Sequence, residues 1–374
     1  MTDRVLVINP GSTSTKVAVF RGTNQVVNCS IKHLDEELQQ NASPTSSLRF
    51  RKQCIERVLR EQELTARDFD AIVARGGIIK PVPGGVYLVC SGLIDDLLKP
   101  RYQHASNMGG VLAHAFAAEG RCPAFIVDPP VVDELSPIAR VSGHKMIERV
   151  SLFHALNQKA VARRACRDLG LDYGRARLIV AHLGGGVSVG AHCEGRVVDV
   201  NNGLIGEGPF SPERSGGLPV MDVIGLLERE PGIDLQSLVA GQGGLKSYLG
   251  TADALAVEAR IEAGDSYAEL IYDAMCYQVA KEIAGLAAVL SGRLDAVIIT
   301  GGLARSEWLV HRIRERVAFL GRLLVYPGED EMLALAEGAL RVLAGKEEPL
   351  HYCQVVHREC PDLDFHAPPE GNTL

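Results

Sequence analysis

The sequence predicts an α/β protein of two duplicated halves, and three observations carry that expectation. Residues 4–20 read as an apolar run, a small-polar loop with glycine, and a second apolar run. Residues 177–192 repeat the plan in mid-chain, and each copy continues through a short turn into a third apolar run. Phe69-Asp70-Ala71-Ile72-Val73-Ala74-Arg75-Gly76-Gly77 and Leu294-Asp295-Ala296-Val297-Ile298-Ile299-Thr300-Gly301-Gly302 match in their order of residue types. Each follows its half's hairpin, and each ends a buried-strand pattern in a glycine pair. A length of 374 residues gives each half enough chain for its own core.

Residues 5–8 and 179–181 are short, β-branched runs near glycine and are expected to be strands. Residues 124–127 form another strand, which should point the carboxylate of Asp128 outward before Pro129-Pro130. Residues 157–168 look helical. Asp265-Ser266 offers an N-cap, and Leu270, Ala274, Tyr277, Val279, Ile283, Leu286 and Leu290 recur at helical spacing until Gly292. That pattern predicts a long helix over 266–291 with its apolar face in the core. Further helices are expected over 308–319 and 332–344, the last packing back on the first half. The expected domains are 1–130, joined by the C-terminal helix 332–360, and 131–331, with a cleft between them. Residues 361–374 read as a frayed tail.

Composition excludes several function classes. Hydrophobic residues at 46% and charged residues at 23% describe a globular chain rather than a disordered one. A formal charge of −7 advertises no basic face for nucleic acid or an acidic membrane. Local cations and backbone amides must therefore hold any anionic ligand. The nine cysteines are scattered without metal-ligand spacing, as expected of reduced thiols in a cytoplasm. A strand pattern begins within the first residues, which predicts no signal peptide. No apolar run approaches the roughly 20 residues needed to span a bilayer.

Asn9-Pro10-Gly11-Ser12-Thr13-Ser14-Thr15-Lys16 has the look of a glycine-rich nucleotide loop, but it lacks a second glycine before lysine and continues as strand. The strand–loop–helix phosphate motif is thereby excluded. Alone it is an ordinary polar hairpin tip. Gly184-Gly185-Gly186 in the second hairpin tilts the balance, because three glycines cost backbone entropy unless something must approach closely. Successive backbone N–H groups in such a loop form an anion-binding concavity.

Other residues allow two readings. Arg75 ends a strand beside Gly76-Gly77, as a surface ion-pair partner or as a guanidinium fork for a carboxylate or phosphate. Arg214 lies in a loop over 206–217 too rich in glycine and proline for helix or strand, and long irregular segments are usually functional or disordered. Asp128 is a turn residue or a magnesium-linked carboxylate. His154, in Phe153-His154-Ala155-Leu156-Asn157-Gln158-Lys159, precedes a helix and alone proves little. Glu329-Asp330-Glu331 opens the last helix, where acids complement the macrodipole. Gly301-Gly302 is a tight turn, or a flat backbone on which adenine and ribose can lie.

With these stretches in view, the chain resembles the acetate kinase family of the actin, sugar-kinase and heat-shock ATPase superfamily, most closely its butyrate kinase branch. The resemblance runs from Val5 to about Ala344. It is carried by residues 7–16, 153–159, 181–186 and 208–216 and by Pro327-Gly328-Glu329-Asp330-Glu331. It implies a duplicated actin-like, ribonuclease H-like fold with the active site in the interdomain cleft. It also implies an enzyme moving phosphate between ATP and a short-chain fatty acid such as butanoate; direct in-line transfer is expected, because an ionised acid needs no general base. Asn9, Ser12, Ser14 and Lys16 would form the first phosphate loop. His182, Gly184, Gly185 and Gly186 would form the second, and Gly301 and Gly302 the adenosine site. Arg75 and Arg214 would be the active-site arginines, and His154 would contact the transferred phosphoryl group. Asp128 and Glu331, or Asp330 in its place, would support Mg2+.

Acetate kinases carry Phe-His-Gly-Thr-Ser-His at the matching place and an extra His-Gly-Gly after the first active arginine. Phe153-His154-Ala155-Leu156-Asn157-Gln158 and Arg75-Gly76-Gly77 depart from both, which favours the butyrate branch over acetate; a kinase of acetate, propionate or a branched-chain acid is the alternative with the same machinery. The resemblance further implies a homodimer or larger assembly. A non-catalytic actin-like nucleotide-binding module is the alternative from another class.

Overall fold

The computed structural model describes residues 2–99 and 105–356. The chain divides into two compact units, one running to Val132 and resuming at Asp330, the other spanning Asp133–Glu329. In the first unit β1 (Arg4–Pro10), β2 (Ser14–Arg21) and β3 (Asn24–Lys32) form an antiparallel meander. β4 (Ala71–Arg75) pairs parallel with β1, and β6 (Ala124–Val127) pairs parallel with β4. β5 (Val86–Leu88) and β12 (Leu350–His351) complete the seven-stranded order β12-β5-β6-β4-β1-β2-β3. Val5–Ile8 reads as continuous apolar sequence because β1 is central and buried on both faces. β3 alternates exposed and half-buried positions, as a polar edge strand does.

The second unit repeats the core of that sheet. β7 (Arg177–Leu183), β8 (Val187–Cys193) and β9 (Arg196–Val200) form the meander. β10 (Ala296–Gly301) runs parallel to β7, and β11 (Leu323–Pro327) runs parallel to β10. Ile179, Ala181, Val297 and Ile299 face a core built on the helix Ser266–Val289. Leu178, Val180, Ala296 and Ile298 face another built on Ala155–Leu169. Successive strand residues point to opposite faces, so an unbroken apolar run serves both layers.

The duplication extends to single hydrogen bonds. Arg4 N donates to Asp70 Oδ2 at 2.7 Å, and Arg177 N donates to Asp295 Oδ2 at 2.7 Å. Each meander carries a register irregularity, at Val19/Phe20 and at Ala191/His192. The sequence echo between 69–77 and 294–302 therefore marks equivalent strands, β4 and β10.

The long helix lies over Ser266–Val289, close to the expected 266–291, but its exposed side differs from expectation. The long helix is capped by Asp265, whose Oδ1 accepts from Tyr267 N and Ala268 N at 3.1 and 2.9 Å. Its buried stripe is Ile271, Met275, Val279, Ile283 and Leu286, while Leu270 and Tyr277 are 62% and 51% exposed. Those two lie seven residues apart, hence on one row of the helix, but on its outer side. There the Tyr277 ring receives the Lys281 ammonium, 5.4 Å from its centroid. The last helix is Glu331–Leu343, which matches the helix expected over 332–344 but does not extend to 360. Gly345, left-handed at φ +63°, ends it, and β12 and a short helix Tyr352–Val355 follow. The tail expected over 361–374 lies outside the described residues. Among the described residues, no helix is long and apolar enough to cross a membrane.

Candidate functional site

In the first unit, adjacent parallel strands present Asn9 at the end of β1, Arg75 at the end of β4 and Asp128 just past β6. Ligands of open α/β sheets bind beyond such carboxyl ends. Glu331, the first residue of the last helix, ties two of these groups together. Its Oε2 accepts from Asn9 Nδ2 at 2.6 Å, and its Oε1 lies 2.7 Å from Arg75 Nη1. The carboxylate is buried, and a buried charge is tolerable only when paired. Glu331 thus fixes the direction of the Arg75 guanidinium. Asp128 does not point outward as expected: it is 2% exposed. Its backbone is left-handed at φ +38°, and its Oδ1 turns back to accept from Gly85 N at 2.8 Å.

The first hairpin closes when Gly11 N donates to Ser14 O at 2.7 Å. Ser12 is exposed, Ser14 half-buried, and Lys16 is exposed on β2 directly across from Asn9. Cross-strand partners share a face, so Lys16 and Asn9 project together. Beneath the loop lies Arg51, buried, from the helix Pro44–Glu61. It donates to Ser14 O at 3.1 Å, Gly11 O at 3.0 Å and Thr15 Oγ1 at 2.6 Å. The Thr15 hydroxyl in turn lies 2.8 Å from His33 Nε2. Burial, and then the Arg51 charge, pull the His33 pKa down, which keeps the ring neutral. Arg51 is not among the candidate residues named from the sequence. Its only signal was a place on the buried row Arg51-Cys54-Ile55-Val58 of a helix.

The second hairpin is shaped by what its glycines lack. Gly184 N donates to Gly186 O at 3.0 Å, and Ser211 Oγ donates to Gly185 O at 2.6 Å. A Cβ on Gly186 would stand 1.8 Å from Arg214 Nη1, so that glycine makes room for the arginine. Arg214 donates to Gly203 O, and burial lowers its pKa from the usual arginine value. A guanidinium keeps its charge even so. Gly301, at φ +94°, would carry a Cβ 2.2 Å from Leu183 O, so the packing of strand ends demands glycine there. Gly302 faces open space instead.

His182 is the penultimate residue of β7 and His154 caps the helix Ala155–Leu169, with their ring centroids 4.2 Å apart. Asn157 ties them: its Oδ1 is 2.8 Å from His182 Nδ1, and its backbone N–H reaches His154 Nδ1 at 3.4 Å. Its Nδ2 donates to Glu329 O at 2.9 Å, while Glu329 Oε1 lies 3.6 Å from His182 Nε2. Asn157, Glu329 and Ser211 were not among the candidates. Asn157 had one signal, its place a helical turn after His154. Gln158 and Lys159 of the same stretch are structural. Gln158 Nε2 donates to Ser188 O at 3.0 Å, and Lys159 is buried against both oxygens of Glu134 at 3.0 and 2.9 Å.

The acetokinase family profile matches residues 135–347. Among solved structures, the fold is similar to acetate kinase from Porphyromonas gingivalis, with TM-score 0.72 and 19% identity over 90% of this chain and 99% of that one. It is also similar to a propionate kinase from Francisella tularensis subsp. tularensis SCHU S4, with TM-score 0.67 and 18% identity over 90% and 98%. A ROK family protein from Streptococcus pneumoniae TIGR4, solved in complex with sucrose, matches with TM-score 0.52 and 11% identity over 92% and 99%. The two repeated sheets are thus those of the actin-like ATPase fold.

Proposed function

The chain belongs to the acetokinase family, and on that premise we propose that it phosphorylates a short-chain carboxylate, butanoate, with ATP to give butanoyl phosphate and ADP. The observation that carries the reading is Arg75, held at the end of β4 by the buried carboxylate of Glu331. A guanidinium fixed in one direction offers a planar fork that matches a carboxylate.

A carboxylic acid is ionised at neutral pH, with a pKa near 4, so its attack on phosphorus needs no general base. The obstacle is the approach of one anion to another, and phosphoryl transfer is mostly positioning and charge stabilisation. Arg75 orients the acid. Arg214 and His154 steady the equatorial oxygens of the transferred group. The amides of Gly184, Gly185 and Gly186 with His182, and those of the first loop with Asn9, Ser12, Ser14 and Lys16, take the remaining phosphate charge. Gly301 and Gly302 receive the adenosine, for which the open face of Gly302 is suited. The displaced group is ADP, and no phosphoenzyme forms.

Asp128 and Glu331 supply oxygen donors of the kind Mg2+ prefers, and that ion needs only one or two carboxylates because it keeps its waters. Glu331 already serves Asn9 and Arg75, and Asp128 Oδ1 already accepts from Gly85 N, so each would support the ion with its remaining lone pairs. The left-handed backbone of Asp330 opens the helix that carries Glu331. Mg2+ held by these carboxylates would supply neutralisation of phosphate charge.

Two measurements test this reading. Hydroxamate trapping of acyl phosphate across C2 to C6 acids should favour butanoate, each methylene shifting preference by about 1–3 kcal/mol. A higher kcat/KM for acetate would remove the butanoate assignment, and no trapped product with any acid would remove the enzyme. Arg214→Ala should lower turnover by at least about 100-fold. We further propose a cytoplasmic homodimer or larger assembly, to be checked by sedimentation.

A further inference from the structure

His154, His182 and Glu329 each offer a metal-ligating atom, and these atoms lie within 4.8 Å of one another. The hydrogen bonds around them decide where the His182 proton sits. The Glu329 backbone oxygen can only accept, so Asn157 must present its Nδ2 there, at 2.9 Å. Its Oδ1 then faces His182 Nδ1 at 2.8 Å and can only accept. His182 therefore carries a proton on Nδ1. In the neutral ring the lone pair of Nε2 faces Glu329 Oε1, 3.6 Å away. A cation between those two atoms, a proton or a metal ion, would be held by both.

Two features make that cation a metal ion. Ligand atoms around a tetrahedral ion with bonds of about 2.0–2.1 Å stand about 3.4 Å apart, close to the observed gap. Metal-bound imidazoles also typically give their other N–H to an oxygen that fixes tautomer and ring, the service Asn157 performs for His182. We propose that His154, His182 and Glu329 form a binding site for a borderline-soft divalent ion of the Zn2+ type. Two imidazoles and one carboxylate suit Zn2+ or Co2+, whereas Mg2+ prefers oxygen alone. Glu329 is 40% exposed on its side chain, which opens the site to solvent ions. Binding stands independently of the kinase reading. Its consequence rests on that reading: an ion there occupies two histidines assigned to phosphate and stops transfer.

The test uses the full chain without nucleotide, titrated with Zn2+ by calorimetry and with Co2+ by visible absorption. One Zn2+ should bind per chain at this site, with Co2+ giving ligand-field bands and no intense thiolate charge-transfer band. Glu329→Gln should weaken Zn2+ binding by at least about 10-fold, and Asn157→Ala by about 10–100-fold. Cysteine thiols elsewhere are untouched by either change, so the difference isolates this site. Wild-type affinity no better than millimolar, or equal affinity in Glu329→Gln, overturns the proposal. In the Mg2+-supported assay, a given Zn2+ concentration should inhibit the wild type by a larger fraction of its own activity than it inhibits Glu329→Gln. Glu329-dependent binding without inhibition upholds the metal site and overturns the phosphate roles of His154 and His182.

Discussion

The two hairpins share a strand plan but stiffen their loops by opposite means. In the first, a buried guanidinium reaches up from a helix and gathers three oxygens of the loop, those of Gly11, Ser14 and Thr15. In the second, side chains are removed instead, and Arg214 and Ser211 come in from another loop to fill and bind the space. The glycine pairs after β4 and β10 differ as well. A Cβ on Gly76 or Gly77 would meet Pro129 at 2.6 Å or Asn107 at 2.4 Å, whereas Gly301 is pressed on Leu183 and Gly302 is open. A duplicated frame thus keeps its strands and caps while each copy spends its loops on different neighbours.

Gly301→Ala should have the largest effect, about 3 kcal/mol or more, because it joins left-handed strain to a backbone collision. Gly302→Ala should change stability by no more than about 1 kcal/mol. Equal denaturant midpoints for the two would remove the steric account of Gly301. Arg51→Met should cost about 2–3 kcal/mol by leaving buried loop oxygens without their charged donor. It should also raise KM for ATP, and an unchanged melting temperature and KM would show that the first loop holds itself.

Gly186→Ala should cost about 1–3 kcal/mol as Arg214 is displaced. Gly11→Ala, whose Cβ would sit 3.5 Å from Ser14 O, should stay within about 0.5 kcal/mol. Comparable losses at both glycines would erase the contrast between the loops.

The smallest effect concerns pH. Each unit buries a neutral histidine near its hairpin, His33 beside Thr15 and His192 between Tyr173 and Gln158. Burial lowers both pKa values, that of His192 well below 6.5, with nearby Lys159 and Arg163 adding to it. The unfolded chain therefore binds protons first as pH falls. The stability these groups contribute is complete above about 6.5 and declines in acid, by at most about 1.4 kcal/mol per pH unit for each group. Melts between pH 7.5 and 5 should flatten more in His192→Gln than in His33→Gln, and the reverse order would contradict the deeper burial of His192.

The strands, the duplication, the helix caps and the need for open loops were legible because they are written in neighbouring residues. Val5–Ile8 announces a strand buried on both faces, Asp265 a helix start, and Gly184-Gly185-Gly186 a place of close approach. Residue type also marked Arg75 and Arg214 as cations to watch. Their partners were not legible. Glu331 meets Asn9 across 322 residues, Asn157 meets Glu329 across 172, and Arg51 reaches Gly11 across 40. Nor did periodicity say which side of the long helix was wet, since Leu270 and Tyr277 keep helical spacing on its outer row. Local patterns encode backbone conformation through sterics and solvation within a few residues. The charge networks form only after folding brings distant strand ends together, and there the geometry alone decides which acid meets which cation.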